Sequence, residues 1–304
     1  MTDAGPAPGA RLHRRAGELA TGPWELALSP EEAGWSFSGL RVATLAAGGE
    51  VAFETGPEEV AILPLAGSFS VACGEAVADL AGRSSVFAGP TDFAYAPPGS
   101  QLTVSSAAGG RFAVPAARAD RGRPFRRVAA GDVQIELRGA GSMSREVRNF
   151  AAAAAFDAER LIAVEVLTPS GNWGSYPPHK HDEARPGETV LEEIYFYDVA
   201  SGPSGGAGVA YQRVYGTPDR PIDVLVEVRS GDVVLIPHGW HGPAMAPPGY
   251  DLYYLNVMAG PGERVWLACD DPAHAWVKDA WRDEAVDPRL PFGRAGGRTA
   301  ASSS

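Results

Sequence analysis

GDVVLIPHGWHGPAMAPPGYDLYYLNVMAG (231–260) is the stretch that decides the fold. Asp232 opens an apolar run, Pro237 and Gly239 break it, and a second apolar run, LYYLNVMAG (252–260), follows the Pro247-Pro248-Gly249 turn. Runs this short between proline and glycine breaks read as strands, since a helix needs a longer uninterrupted pattern. The same rhythm extends outward: EVAILPLAGSFSV (59–71), FAYAPPGSQLTV (93–104), DVQIELRG (132–139), RLIAVEVLTP (160–169), EIYFYDV (193–199), VAYQRVYG (209–216) and DVLVEVRSGDVVLIP (223–237). Thirty-seven glycines and 26 prolines, about a fifth of the 304 residues, supply the turns. An all-β, antiparallel sandwich or barrel architecture is expected. The alanine run Ala151–Ala155 is expected to form a short helix, HAWVKDAW (274–281) a helical turn, and ASGPSGGAG (200–208) a flexible hairpin connection.

Composition narrows the function. Lys+Arg 26 against Asp+Glu 37 leaves a net charge of −11, which disfavours nucleic acid and anionic membranes as partners. Two cysteines, Cys73 and Cys269, cannot build a disulfide scaffold. No apolar run has the ~18 residues of a membrane span, and residues 1–20 lack the apolar core of a signal peptide. A cytoplasmic protein acting on a small molecule is the expectation. Residues 1–10 and 293–304 read as disordered tails.

An internal echo suggests two similar halves. Asp92 precedes FAYAPPGSQLTV as Asp232 precedes VVLIPHGWHGPAM, and both copies run from an acidic turn through an apolar strand to a proline–glycine turn. Histidines occur only in the second copy. The division expected is 11–130 for an N-terminal half without metal ligands and 131–292 for a C-terminal half that carries the chemistry.

The chain has six histidines. His179 and His181, two apart in SYPPHKHDE, leave the same face of an extended strand and can meet one ion. Glu193, opening EIYFYDV, and His241, closing Gly231-DVVLI-Pro237-x-Gly239-x-His241, add a carboxylate and a third imidazole. Glu192 competes with Glu193, but alternation sends the two to opposite faces. By the same parity Tyr195 shares the face of Glu193. His238 is expected to stay outside the ligand set, and His13 and His274 to be ordinary surface or packing residues.

These glycine, proline and His-x-His patterns resemble the two cupin motifs. Here the second motif is one residue shorter than the usual Pro-x-Gly-x-x-His, and the His181–Glu193 gap is longer than usual. With GNWGSYPPHKHDE (171–183), LEEIYFYDV (191–199), AYQRVYG (210–216) and 231–260, the chain resembles the two-cupin uronate isomerase family that includes the 5-deoxy-glucuronate isomerases of myo-inositol catabolism. The resemblance implies two tandem cupin (double-stranded β-helix, jelly-roll) barrels. It implies one divalent metal ion per chain held by His179, His181, Glu193 and His241, with zinc or manganese favoured and iron or nickel open. It also implies a metal-dependent aldose–ketose isomerisation of a deoxyuronic acid. Candidates for the substrate shell and the base are Gln212, Arg213 and Tyr254, with Tyr253 and Asn256 behind them. Alternation lets only one of Gln212 and Arg213, and one of Tyr253 and Tyr254, face inward. A cupin dioxygenase and a non-catalytic sugar-binding cupin are the rival readings. Assembly into homo-oligomers stays open.

Overall fold

The computed structural model describes residues 11–293; the expected tails at 1–10 and, but for Gly293, at 293–304 lie outside the described residues. Nearly every element is a strand, and the strands form three antiparallel sheets. The first half curls around one long strand, Glu58–Cys73. Its first part pairs with Phe93–Ala96 and Gly110–Arg118, and its second part with Ala76–Arg83 and Gln101–Ser106. Register shifts at Pro64/Ala66 and Gly67/Phe69 bend it between the two sets of partners.

The second half is two sheets face to face. One runs Val233–Ile236, Glu192–Val199, Leu252–Ala259, Ile162–Thr168, Arg145–Ala151 and Gln134–Arg138. The other runs Asp223–Val228, Ala210–Tyr215, Trp240–Met245, His179–Lys180 and Cys269–Asp270. The 200–208 segment therefore crosses from one sheet to the other and is no hairpin, because Glu192–Val199 and Ala210–Tyr215 have no ladder in common. Glycine-rich turn chemistry predicts the reversal but not the sheet that the next strand joins. The alanine run also departs from expectation: Ala151 ends the strand Arg145–Ala151, and the following alanines make a turn. The helical turn near the C-terminus is present at Val277–Ala280.

Central strands are apolar on both faces because each face meets a different core. Along Glu58–Cys73, Val60 and Ile62 fill the first barrel, whereas Ala61, Leu63 and Leu65 join a core shared with the second half. Along Glu192–Val199, Tyr195 and Tyr197 point into the second barrel, and Ile194 and Phe196 into the shared core. That shared core welds the halves sheet to sheet, with Phe93 packed edge-on against Phe150 at 5.2 Å and Phe156 at 5.3 Å.

Two acids, Glu59 buried and Glu192 half-buried, reinforce the weld reciprocally. Glu192 accepts from the main-chain N–H groups of Ser36, Phe37 and Ser38 at 2.8–2.9 Å. Glu59 accepts from those of Glu159, Arg160 and Leu161 at 2.6–3.0 Å. The chain also crosses the division at 130: His13–Arg14 hydrogen-bonds to Val233–Val234, on the sheet of the second half.

Candidate metal centre

His179 and His241 are direct cross-strand partners on the smaller sheet of the second half. Glu193 reaches toward them from the facing sheet, where it pairs with Ile236 and Met258. His181, two residues after His179, completes the convergence. The ligand atoms of His181, Glu193 and His241 lie within 4.8 Å of one another, all three side chains buried. Glu193 Oε2 stands 3.0 Å from Nε2 of both His181 and His241. His179 is half-buried at the mouth, its ring 4.4 Å from that of His241 and 6.3 Å from that of His181. Gly242 is required here: its φ is +101°, and a Cβ would lie 1.9 Å from the Ser175 carbonyl oxygen.

The donor set suits a cation. His181 Nδ1 faces the Leu191 carbonyl at 3.2 Å, His241 Nδ1 the Gly239 carbonyl at 3.2 Å, and His179 Nδ1 the Pro177 carbonyl at 3.4 Å. A carbonyl only accepts, so these contacts hold a proton on each Nδ1 and leave Nε2 as the nitrogen a cation would take, although His181 Nε2 meets the Glu193 carboxylate at 3.0 Å. His241 Nε2 is buried without a hydrogen-bond partner despite its closeness to Glu193. The electrostatics agree. Burial raises the Glu193 carboxyl, but His241 and His181 more than reverse this and hold it far below the usual range. Burial, joined by His241 and His181, keeps His179 well below its ordinary value. His181 is raised overall, because the bond and charge of Glu193 outweigh burial. A preformed carboxylate among imidazoles fits zinc, manganese, iron or nickel.

A cavity opens beside this cluster, floored by the inner face of the larger sheet and lined by Glu193, Tyr195, Asn256, Tyr254 and Arg145. Ser175 Oγ bridges the hydroxyls of Tyr254 at 3.0 Å and Tyr195 at 3.1 Å. Burial raises the pKa of both tyrosines. They remain protonated near neutrality and serve as hydrogen-bond donors. Tyr253 faces the opposite way, into the shared core, and donates to Glu165 at 2.9 Å.

The substrate-shell candidates divide along the same parity. Tyr254 and Asn256 line the cavity. Gln212 is buried in the barrel, accepting from Tyr197 at 3.0 Å, and does not line it. Arg213 turns away to Asp223 and the carbonyls of Val214 and Val224. Two arginines that sequence reading passed over, Arg138 and Arg145, do line the cavity. His238 is buried near the cluster but outside the group of converging ligand atoms. His13 pairs with Asp232 at 2.9 Å, and His274 packs beside Tyr176.

The sequence profile of the KduI/IolB family matches residues 12–277. The chain belongs to the KduI/IolB family. It is 40% identical over 256 residues to the 5-deoxy-glucuronate isomerase of Geobacillus kaustophilus, covering 83% of this chain and 90% of that protein. The 5-deoxy-glucuronate isomerase of Bacillus subtilis strain 168 is 39% identical over 241 residues, 78% of this chain and 86% of its own length. Among solved structures, an IolB-like protein of Salmonella typhimurium superposes with a TM-score of 0.81 at 33% identity, covering 88% of this chain and 99% of that one. A Lactobacillus farciminis oxalate decarboxylase superposes at 0.61 with 12% identity, covering 86% and 88%, a likeness of fold alone. The fold is all-β with two tandem cupin barrels, as the family resemblance implied. No helix among the described residues is long and apolar enough to cross a membrane.

Proposed function

We propose that this member of the KduI/IolB family is a divalent-metal-dependent aldose–ketose isomerase that converts 5-deoxy-D-glucuronate to 5-dehydro-2-deoxy-D-gluconate in myo-inositol catabolism. The observation that carries this reading is the 40% identity, over 90% of its length, to a protein named for that activity. The cluster of His181, Glu193 and His241 at the cavity supports it. His179 is the fourth ligand in this proposal, and zinc or manganese the resident ion.

When bound, the ion supplies Lewis-acid stabilisation of the negative charge that develops on oxygen during enolisation. The chain's own residues do the rest. The Tyr254 and Tyr195 hydroxyls, linked through Ser175, donate hydrogen bonds to substrate hydroxyls over the floor of the cavity. Asn256 offers a buried amide beside Tyr195 on the same floor. Apolar side chains, among them Val147, Val164 and Ile162, restrict water at that floor. The first barrel serves as the wall on which the catalytic barrel packs and holds no metal of its own.

The test is an NMR assay of the purified protein with 5-deoxy-D-glucuronate, beside elemental analysis. Conversion to the ketose without added NAD and without oxygen consumption is expected. Absence of conversion by metal-replete protein, or a requirement for oxygen, would overturn the reading.

A further inference from the structure

The cavity has two chemically different ends. Glu193 lies on the strand Glu192–Val199, and Arg145 on Arg145–Ala151, three strands along the same sheet. By register Arg145 also lies about six residues further along the strands than Glu193, and its side chain reaches the Tyr176 carbonyl, three residues before His179. Arg145 is directly opposite Arg138 in the ladder. Like charges in facing positions repel, so this arrangement is stable only with anions nearby.

Arg138 has its own anion: Glu136 binds it through two contacts of 2.8 Å. Arg145 contacts no carboxylate among the described residues, and the more distant pull of Glu136 on it is countered by Arg138. Its Nη1 donates to the carbonyls of Met143 and Tyr176, both at 3.1 Å, and its guanidinium lies 5.5 Å from the Trp281 ring centre. The residue is 6% exposed yet lines the cavity. Burial lowers its pKa to about 10, which leaves it charged at neutral pH. A buried cation without a counter-ion is costly, and a ligand carboxylate would relieve that cost. Asn256, 4% exposed as a residue and beside Tyr195 further along the same cavity, is a second buried polar group on its floor.

We infer that Arg145 binds the substrate's carboxylate, holding the acid end of the sugar acid while its carbonyl end faces the His/Glu cluster. A guanidinium can take a carboxylate in a fork of two bonds, which fixes direction as well as distance. Arg145 is thus the residue that selects a uronate over a neutral sugar. This rests on the isomerase reading only for the identity of the substrate.

The test compares wild type, Arg145→Gln and Arg145→Lys as full, metal-replete chains. Each is assayed on 5-deoxy-D-glucuronate and on the 5-deoxyhexose that carries a primary alcohol in place of the carboxylate. Arg145→Gln should lower kcat/KM for the acid by about ten- to a hundredfold, mainly through KM, and leave the neutral sugar nearly unchanged. Arg145→Lys should recover part of the loss. Equal loss on both sugars marks a structural role and overturns the inference, as does no loss on either. Calorimetric titration with D-gluconate, an unreactive six-carbon acid, separates this from failure of the isomerase reading. Weaker gluconate binding by Arg145→Gln supports the anion site even if 5-deoxy-glucuronate is not turned over. Equal binding by variant and wild type, or none by wild type, overturns it.

Discussion

Matched ladder by ladder, the two halves put Glu193 in the position of Val60. Glu193 faces Ile236 and Met258 across its ladders, and Val60 faces Ala96 and Ala116. From those partners the turns run in step, Ile236-Pro-His-Gly-Trp-His241 against Ala96-Pro-Pro-Gly-Ser-Gln101. Gly239 and Gly99 both have positive φ, +89° and +73°. The positions of Glu193 and His241 in one barrel are thus valine and glutamine in the other. One residue earlier the likeness returns: Glu192 and Glu59 each accept three main-chain N–H groups from the opposite half. The acid that joins the barrels is kept in both, and the acid that faces a barrel interior occurs once. The difference teaches that the sandwich needs the outward carboxylate for assembly, while the inward one belongs to the polar cluster inside the second barrel.

The comparison breaks most easily at that inward position. Glu193→Gln, His181→Ala and His241→Ala should each lower bound metal and reduce kcat/KM by more than about a hundredfold. Wild type should bind about one ion per chain, and His238→Ala should keep it. Val60→Ala should leave the ion in place and only weaken folding, by about 1–3 kcal/mol for the lost apolar packing. Elemental analysis beside denaturant unfolding reads both effects. Two tightly bound ions per chain would end the view of the first barrel as metal-free.

Much of this site was legible because it obeys local geometry. His-x-His on a strand, the opposite faces of Glu192 and Glu193, and the opposite faces of Tyr253 and Tyr254 all follow from a period of two. Arg145 follows from no such rule. REVRNFA (145–151) is an ordinary charged strand by composition, and its value comes from lying three strands from Glu193 on a sheet whose order no short pattern encodes. Arg213 attracted the carboxylate role because it adjoins Gln212 in a family-like segment. Parity allowed either residue inward, and the barrel took Gln212. The shared core was hidden for a related reason. Strands buried on both faces lose the alternation that would reveal which side meets which neighbour.

A middle-sized effect sharpens the other side of the comparison. Glu192→Gln and Glu59→Gln keep shape but remove the charge that receives three N–H groups. Each should destabilise the protein by about 1–3 kcal/mol in denaturant unfolding. Near-equal values are expected, because the two acids do reciprocal work at one interface. Metal content should stay near the wild-type level in both. A large metal loss in Glu192→Gln alone would mean that the outward acid also governs the ligand beside it, and the division between joining and chemistry would fail at that strand.

The smallest effect is expected from Arg213→Ala. Its guanidinium is 30% exposed, pairs with an Asp223 side chain that is 85% exposed, and lies 5.2 Å from the Tyr215 ring centre. Exposed ion pairs contribute about 0.2–1 kcal/mol to stability. Loss of this one removes no group from the cavity, because Arg213 does not line it. Stability should therefore fall by less than about 1 kcal/mol, and kcat/KM for 5-deoxy-D-glucuronate should stay within about twofold of wild type. The informative contrast is with Arg145, since both are arginines on strands of the same barrel but on opposite sides of their sheets. A tenfold or greater rise in KM for the acid in Arg213→Ala, with the neutral sugar unaffected, would move the carboxylate site to the smaller sheet and require the 210–215 strand to turn its outer face toward substrate.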